Sequence, residues 1–170
     1  IKYKTLYFIS VNKIMKNLIC FSYYPLLFVY HFQYKIYLIK GDFNYPNAFN
    51  TKIFYTPDRK NIQKLIYKSK DEFIIICPLH IIFYKIVQDN IHLQKTLSFS
   101  IRDSFVDGFY LESYEHLYLM SPTSLYVVNV LSQTILYTHQ NVTSLVLNKL
   151  RFHQCTAKNF LQMLKHEGLS

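Results

Sequence analysis

Three times along this chain an apolar run halts at a short polar turn and a second apolar run takes over. The runs before the turns are Leu26–His31 (LLFVYH), Glu72–Pro78 (EFIIICP) and His116–Pro122 (HLYLMSP). The first apolar residues after them are Ile36, Ile81 and Leu125, spaced 45 and 44 residues apart. Around the third turn the unit is complete. It reads as strands at Phe109–Leu111, His116–Met120, Leu125–Val130 and Thr134–Thr138, with Ser121-Pro122-Thr123-Ser124 as the tight turn between the middle two. β-Branched and aromatic enrichment, short length and Ser, Pro and Asn punctuation mark these as strands. Four strands recurring at about 40 to 45 residues is the period of WD-type propeller blades.

The fold expected is all-β: a divergent WD-like β-propeller fragment of about three four-stranded blades over residues 1–150, with a short C-terminal helical tail over 151–170. The divergence is visible, because the chain has no Trp and no Gly-His or Trp-Asp signature. Thr5–Ser10 reads as the outer strand of a preceding blade. The first full blade takes Leu18–Phe21, Leu26–Tyr30 and Lys35–Ile39 as inner strands, Gly41–Asn50 as a turn-rich connection, and Thr51–Tyr55 as the outer strand. Thr56–Asn61 turns the chain into the second blade, at Leu65–Tyr67, Phe73–Cys77, Ile81–Ile86 and Leu93–Phe99. Inner strands apolar on both faces are expected of a sheet lying between two others. Val142–Leu147 begins a fourth blade. Since a closed ring takes roughly four to eight blades, and the sequence starts at Ile1, it reads as part of something larger.

From Thr156 to Gly168 the spacing turns helical, with Thr156 as N-cap and Gly168 as C-cap. Phe160, Leu161 and Leu164 form one apolar stripe, which is the candidate partner-contact surface.

Charge decides less than it promises. Lys and Arg number 19 against 10 Asp and Glu, for a net charge of +9. Only three of the basic residues are Arg, the side chain that grips phosphates and base edges bidentately. The Lys residues, among them Lys52, Lys60, Lys64, Lys68 and Lys70, are dispersed, so nucleic acid is not the expected partner. Cys20, Cys77 and Cys155 have no paired spacing, which points to a reducing compartment and small buried hydrophobes.

No constellation nominates catalysis. His153-x-Cys155 with His166 fits no common zinc spacing, and the histidines read as solvated or singly hydrogen-bonded. Asp103, Ser104 and His116 supply the side chains of a triad without a Gly-x-Ser-x-Gly elbow. With Gly41, Gly108 and Gly168 as the only glycines, there is no phosphate-cradling loop. No catalytic residue, cofactor, metal or small-molecule substrate is expected. Phe21–Ile39 and Phe73–Val87 are apolar overall but carry polar residues and break at their turns. The basic residues before the apolar part of Lys13–Tyr30 sustain one other reading, a small membrane-anchored or secreted protein.

Phe49–Asp58 (FNTKIFYTPD) and Tyr114–Tyr137 (YEHLYLMSPTSLYVVNVLSQTILY) carry a family resemblance. Phe54-Tyr55-Thr56-Pro57 resembles the aromatic-Tyr-Thr-Pro element of the class C vacuolar sorting proteins called deep orange or Pep3. His116–Leu119 followed by Leu125–Leu131 resembles that family's His-led strand, turn and Val-rich strand, although Glu115 separates Tyr114 from His116. The resemblance spans roughly Asn17 to Tyr137 of the chain and includes none of the family's α-solenoid or terminal RING. It implies a propeller segment from a subunit of the HOPS and CORVET tethering complexes, cytoplasmic and peripheral on endosome and vacuole membranes. Its partners are then other tethering subunits, and its function is that of a non-catalytic protein–protein scaffold.

Dispersed lysines neutralise few phosphates together. Titration of duplex DNA at two salt concentrations is therefore expected to give weak binding, with a log-log salt slope shallower than about minus three.

Overall fold

The computed structural model describes residues 18–23, 26–42, 45–99, 103–111 and 114–140. Among these the chain is a succession of antiparallel strands with a short 3-10 turn at Pro57–Arg59 and no α-helix. The first sheet is β1 (Leu18–Tyr23), β2 (Leu26–Phe32), β3 (Lys35–Asp42) and β4 (Tyr45–Tyr55). The second is β5 (Lys64–Ser69), β6 (Glu72–Ile76), β7 (His80–Val87) and β8 (Asn90–Ser98). The third is β9 (Asp107–Leu111), β10 (His116–Met120), β11 (Ser124–Asn129) and β12 (Thr134–Gln140). Each sheet is a four-stranded meander in which every strand pairs with its sequence neighbours.

The repeat is carried in the register. Ile36 pairs with His31, Ile81 with Ile76, and Leu125 with Met120, so each anchor opens the third strand opposite the end of the second. Matching bonds close the later two turns, Cys77 N–H to the His80 carbonyl (2.8 Å) and Ser121 N–H to the Ser124 carbonyl (2.9 Å).

Alternation then sorts the side chains. Phe73, Ile75, Ile82 and Tyr84 leave the second sheet on one side and join Val29, Ile36 and Leu38 of the first in a common core. Ile74, Ile76, Ile81 and Phe83 leave it on the other and pack with Leu117, Leu119, Tyr126 and Val128 of the third. The first strands stand side by side, β5 lying against both β1 and β9. β8 and β12 are mostly exposed.

One device joins successive sheets twice. Seven residues beyond β4, Ile62 sinks into the first core and its N–H donates to the Gln33 carbonyl in the β2–β3 turn, at 2.9 Å. Seven residues beyond β8, Phe105 sinks into the second core and its N–H donates to the Pro78 carbonyl in the β6–β7 turn, at 2.8 Å. In each case the next strand starts two residues later.

One expected boundary is corrected. Gly41–Asn50 is not a turn-rich connection, because β3 runs through Gly41 to Asp42 and β4 starts at Tyr45. The ladder shifts between Lys40 and Asp42, pairing them with Asn50 and Tyr45, and the ring of Phe49 lies over the bare Cα of Gly41. An outermost strand can hold Pro46 because its outward side makes no ladder bonds. The strands expected at Thr5–Ser10 and Val142–Leu147, and the helix at Thr156–Gly168 with Phe160, Leu161 and Leu164, lie outside the described residues.

At Gly108 the third sheet comes close against Ile76 of the second. A Cβ there would run into the Tyr118 carbonyl and stand 2.8 Å from Ile76 Cδ1. Gly108→Ala is therefore expected to cost about 1–3 kcal/mol, read as a lower urea midpoint at an unchanged slope.

Candidate functional site

Several polar side chains of the described residues join successive sheets. Lys64 Nζ meets Asp107 Oδ1 at 2.9 Å across the second and third sheets, with both side chains largely covered. Lys95 Nζ donates to the Val130 carbonyl at 3.1 Å and stands 4.9 Å over the Phe83 ring. Burial and the neighbouring Lys68 hold its pKa below the usual lysine value. Lys68 itself lies near the Phe83 and Tyr110 rings and pairs with Glu72 at 3.4 Å. Lys64, Lys68 and Lys95 thus belong to the inter-sheet seam, whereas Lys52 and Lys70 are exposed as expected of solvated positions.

The three triad side chains are not brought together. Asp103 Oδ2 accepts from Tyr126 (2.6 Å), Ser121 (3.2 Å) and Thr123 (3.5 Å) hydroxyls, which ties the connector to the β10–β11 turn. Ser104 is exposed beside it. His116 stands at the opposite end of β10, four residues or about 13 Å along the strand from Met120. The cluster at His153, Cys155 and His166 lies outside the described residues. Cys77 is buried, and desolvation raises its thiol to about 11, so it packs as a small hydrophobe.

A shallow depression is lined by Leu38, Lys40, Asn50, Lys52 and Asp89, and within it Lys40 Nζ pairs with Asp89 Oδ1 at 2.9 Å.

The group left facing outward is at the end of the first sheet. Pro57 starts a hook whose next two residues both take left-handed backbone, Asp58 at φ 56° and Arg59 at φ 52°. For a non-glycine residue that conformation costs about 1–2 kcal/mol. Thr56 holds the hook. Its N–H donates to the Tyr34 carbonyl (3.0 Å), its Oγ1 to the Lys60 carbonyl (2.6 Å), and its own carbonyl accepts from Arg59 N–H (3.0 Å). The result places the Arg59 guanidinium 5.8 Å from the Tyr34 ring and 6.0 Å from the Tyr55 ring. The rings themselves stack at 6.0 Å.

Magnitudes say what Arg59 is not doing. Exposed cation–π contacts contribute about 0.5–1 kcal/mol each, less than the two left-handed residues cost, so the hook owes its shape to Thr56 and to buried Ile62. Among the described residues no carboxylate lies within ion-pair distance of Arg59. Lys35, paired across the ladder with Tyr55, adds positive charge nearby, while Lys60 Nζ lies 3.9 Å from the Asp58 carboxylate. Phe32 and Tyr55 are 59% and 55% exposed. Exposed aromatic rings around an Arg are the composition of a protein-binding hot spot. The sequence singled out Phe54-Tyr55-Thr56-Pro57 but not Arg59 or Tyr34; the signal it offered was an Arg directly after Thr-Pro-Asp.

His31 corrects the expectation of solvated or singly bonded histidines. It is 8% exposed, faces the second sheet, and neither ring nitrogen has a hydrogen-bond partner. Its repeat equivalents are Ile76 and Met120. His80, by contrast, shares a 2.8 Å bond with Ser98 Oγ.

No family model matches the chain, and no curated protein matches it.

Burial pushes the His31 imidazole down from 6.5 to about 4. The neutral ring is the form the fold accepts, so its stability is whole above pH 6.5 and is lost as pH falls through about 4. That depression corresponds to about 3 kcal/mol. Urea midpoints between pH 7.5 and 4.5 should fall further for the natural chain than for His31→Met, which carries the third sheet's residue at this position.

Proposed function

We propose that the chain is a non-catalytic protein-docking scaffold, with its three sheets acting as successive blades of a divergent β-propeller. Support for the blade reading comes from the 45- and 44-residue period, the side-by-side first strands and the solvent-facing β8 and β12. Docking rests on one observation: Arg59, with no carboxylate partner among the described residues, held over the half-buried Tyr34 ring and the exposed Tyr55 ring on a hooked loop. A guanidinium fork flanked by aromatic rings, with Lys35 nearby, fits an acidic segment of a partner protein. The likeness of Phe54–Pro57 and His116–Leu131 to the class C vacuolar sorting family suggests that such partners are tethering-complex subunits, with the protein peripheral on endosomal or vacuolar membranes.

The test uses the full chain and a fluorescent twelve-residue peptide of alternating Glu and Asp with one central Phe. Arg59→Ala is expected to weaken binding at least tenfold while leaving the urea midpoint unchanged. Lys70→Ala removes the same charge from the β5–β6 turn and should change affinity less than twofold. Equal losses in both variants mean diffuse attraction to a basic protein and overturn the assignment, as does no loss in either. Carbonate extraction of cell membranes addresses location: a peripheral protein is released, and retention in the pellet favours an integral one.

A further inference from the structure

The outermost strands of the three sheets do not present the same edge. Among the described residues none of β4, β8 and β12 has a strand beyond it. β8 breaks its pairing with β7 at Gln94, which is left unmatched between Leu93 and Lys95. β12 breaks its pairing with β11 at Leu136, unmatched between Ile135 and Tyr137. Such irregularities twist an edge out of reach of a further strand. β4 has none between Asn50 and Tyr55, which pair in unbroken order with Lys40 to Lys35. Its register shift lies at the other end, between Asn50 and Tyr45.

Thr56 fixes which way the backbone of that edge points. Its N–H donates to the Tyr34 carbonyl, one pair beyond Lys35 and Tyr55. Bonded and unbonded pairs alternate along an antiparallel ladder. Phe54, Lys52 and Asn50 therefore bond to β3, while Tyr55, Ile53 and Thr51 turn their N–H and carbonyl groups outward. The side chains of those three are exposed too, Tyr55 at 55% and Ile53 at 48%. Tyr55 and Ile53 share a face with their ladder partners Lys35 and Tyr37, and the opposite face carries the exposed Asn50 and Lys52. Hydrogen-bonding groups along a regular, exposed edge are a template for an added strand.

Charge selects what is added. Arg59 stands just past the strand without a carboxylate partner among the described residues, and Lys35 and Lys52 lie on the two faces of the edge. A second copy is a poor match, because its β4 brings Lys52 and no Asp or Glu, and each copy carries a net charge of +9. An acidic segment with apolar residues at alternate positions matches both the charge and the pleat.

We propose that the Asn50–Tyr55 edge of β4 takes up an extended acidic segment of a partner protein as an added antiparallel strand of the first sheet. The segment's N-terminal acidic residues lie at Arg59, its β-branched residues beside Ile53 and Tyr55, and a carboxylate beside Lys52. The outward N–H and carbonyl groups of Thr51, Ile53 and Tyr55 supply the main-chain bonds. Placement of the acidic end rests on the docking role of Arg59, whereas addition of the strand does not.

The full chain is titrated with a fluorescent peptide of three Asp followed by Val-Thr-Val-Glu-Val-Thr. N-methylation of the central Val, whose N–H points at β4, is expected to weaken binding about tenfold, and N-methylation of the Thr before it about twofold or less. Equal effects at the two positions, the reverse order, or no saturable binding of the unmethylated peptide overturn the proposal. Ile53→Pro removes an outward N–H and no ladder bond, so β4 survives while affinity falls about tenfold, and Ile53→Thr keeps both the N–H and most of the affinity. Unchanged affinity in a folded Ile53→Pro chain also overturns the proposal; if that variant does not fold, the methylated peptides decide. Arg59→Ala separates the two readings. Binding lost in Arg59→Ala with no methylation pattern leaves an acid-binding hook and overturns strand addition. An intact pattern with unchanged affinity in Arg59→Ala keeps the added strand and overturns the role of Arg59. Self-association of the chain without peptide, abolished by Ile53→Pro, assigns the edge to a second copy and overturns the acidic partner.

Discussion

The fold turns on a sheet with no side for water. Phe73, Ile74, Ile75 and Ile76 follow one another along β6, all 0% exposed, and alternation sends them in opposite directions. Such a strand is unstable alone or in a two-layer sandwich with one solvated face. It needs a sheet on each side, which the first and third supply. At about 25 cal/mol per Å² of apolar surface, each fully buried isoleucine contributes about 1.5–3 kcal/mol. The polar links between sheets, Lys64–Asp107 and the Ile62 and Phe105 backbone bonds, therefore set register and spacing more than they supply stability.

The candidate docking surface exists because that core is self-sufficient. Thr56 and Ile62 anchor the hook at both ends, so Asp58 and Arg59 can be held left-handed without needing the guanidinium's contacts. Affinity is favoured at a loop that is already ordered, since little conformational freedom remains to be lost when a partner arrives. His31 belongs to the same end of the molecule. Its unpartnered ring lies in the layer between the first two sheets where an apolar residue serves elsewhere, and its burial is tolerated only while it is uncharged.

Strand positions and their period were legible because apolar runs of this kind are ended sharply by Ser, Pro or Gln turns, and the repeat supplied the register. The beginning of β4 was not, since Tyr45-Pro46-Asn47-Ala48 has the composition of a loop and only its place at a sheet edge lets it pair. The Arg59 site depends on Tyr34, 25 residues earlier in the chain, and on a left-handed backbone that Thr-Pro-Asp-Arg does not announce. A buried histidine looks the same in sequence as a solvated one. The scatter of lysines does correspond to many separate positions, but three of them are structural because long side chains can lay their stems along apolar seams.

The turns have a further bearing, on the route by which the chain folds. Gln33, Gln88 and Gln133 are left-handed at hairpin positions that ordinarily take glycine or asparagine. A glutamine there resists the bend, so none of these hairpins is a ready nucleus. Part of the reward for closing them arrives when sheet meets sheet and the shared cores are buried. Until the sheets meet, the isoleucine strands stay uncovered, and that is when such a chain is most open to self-association.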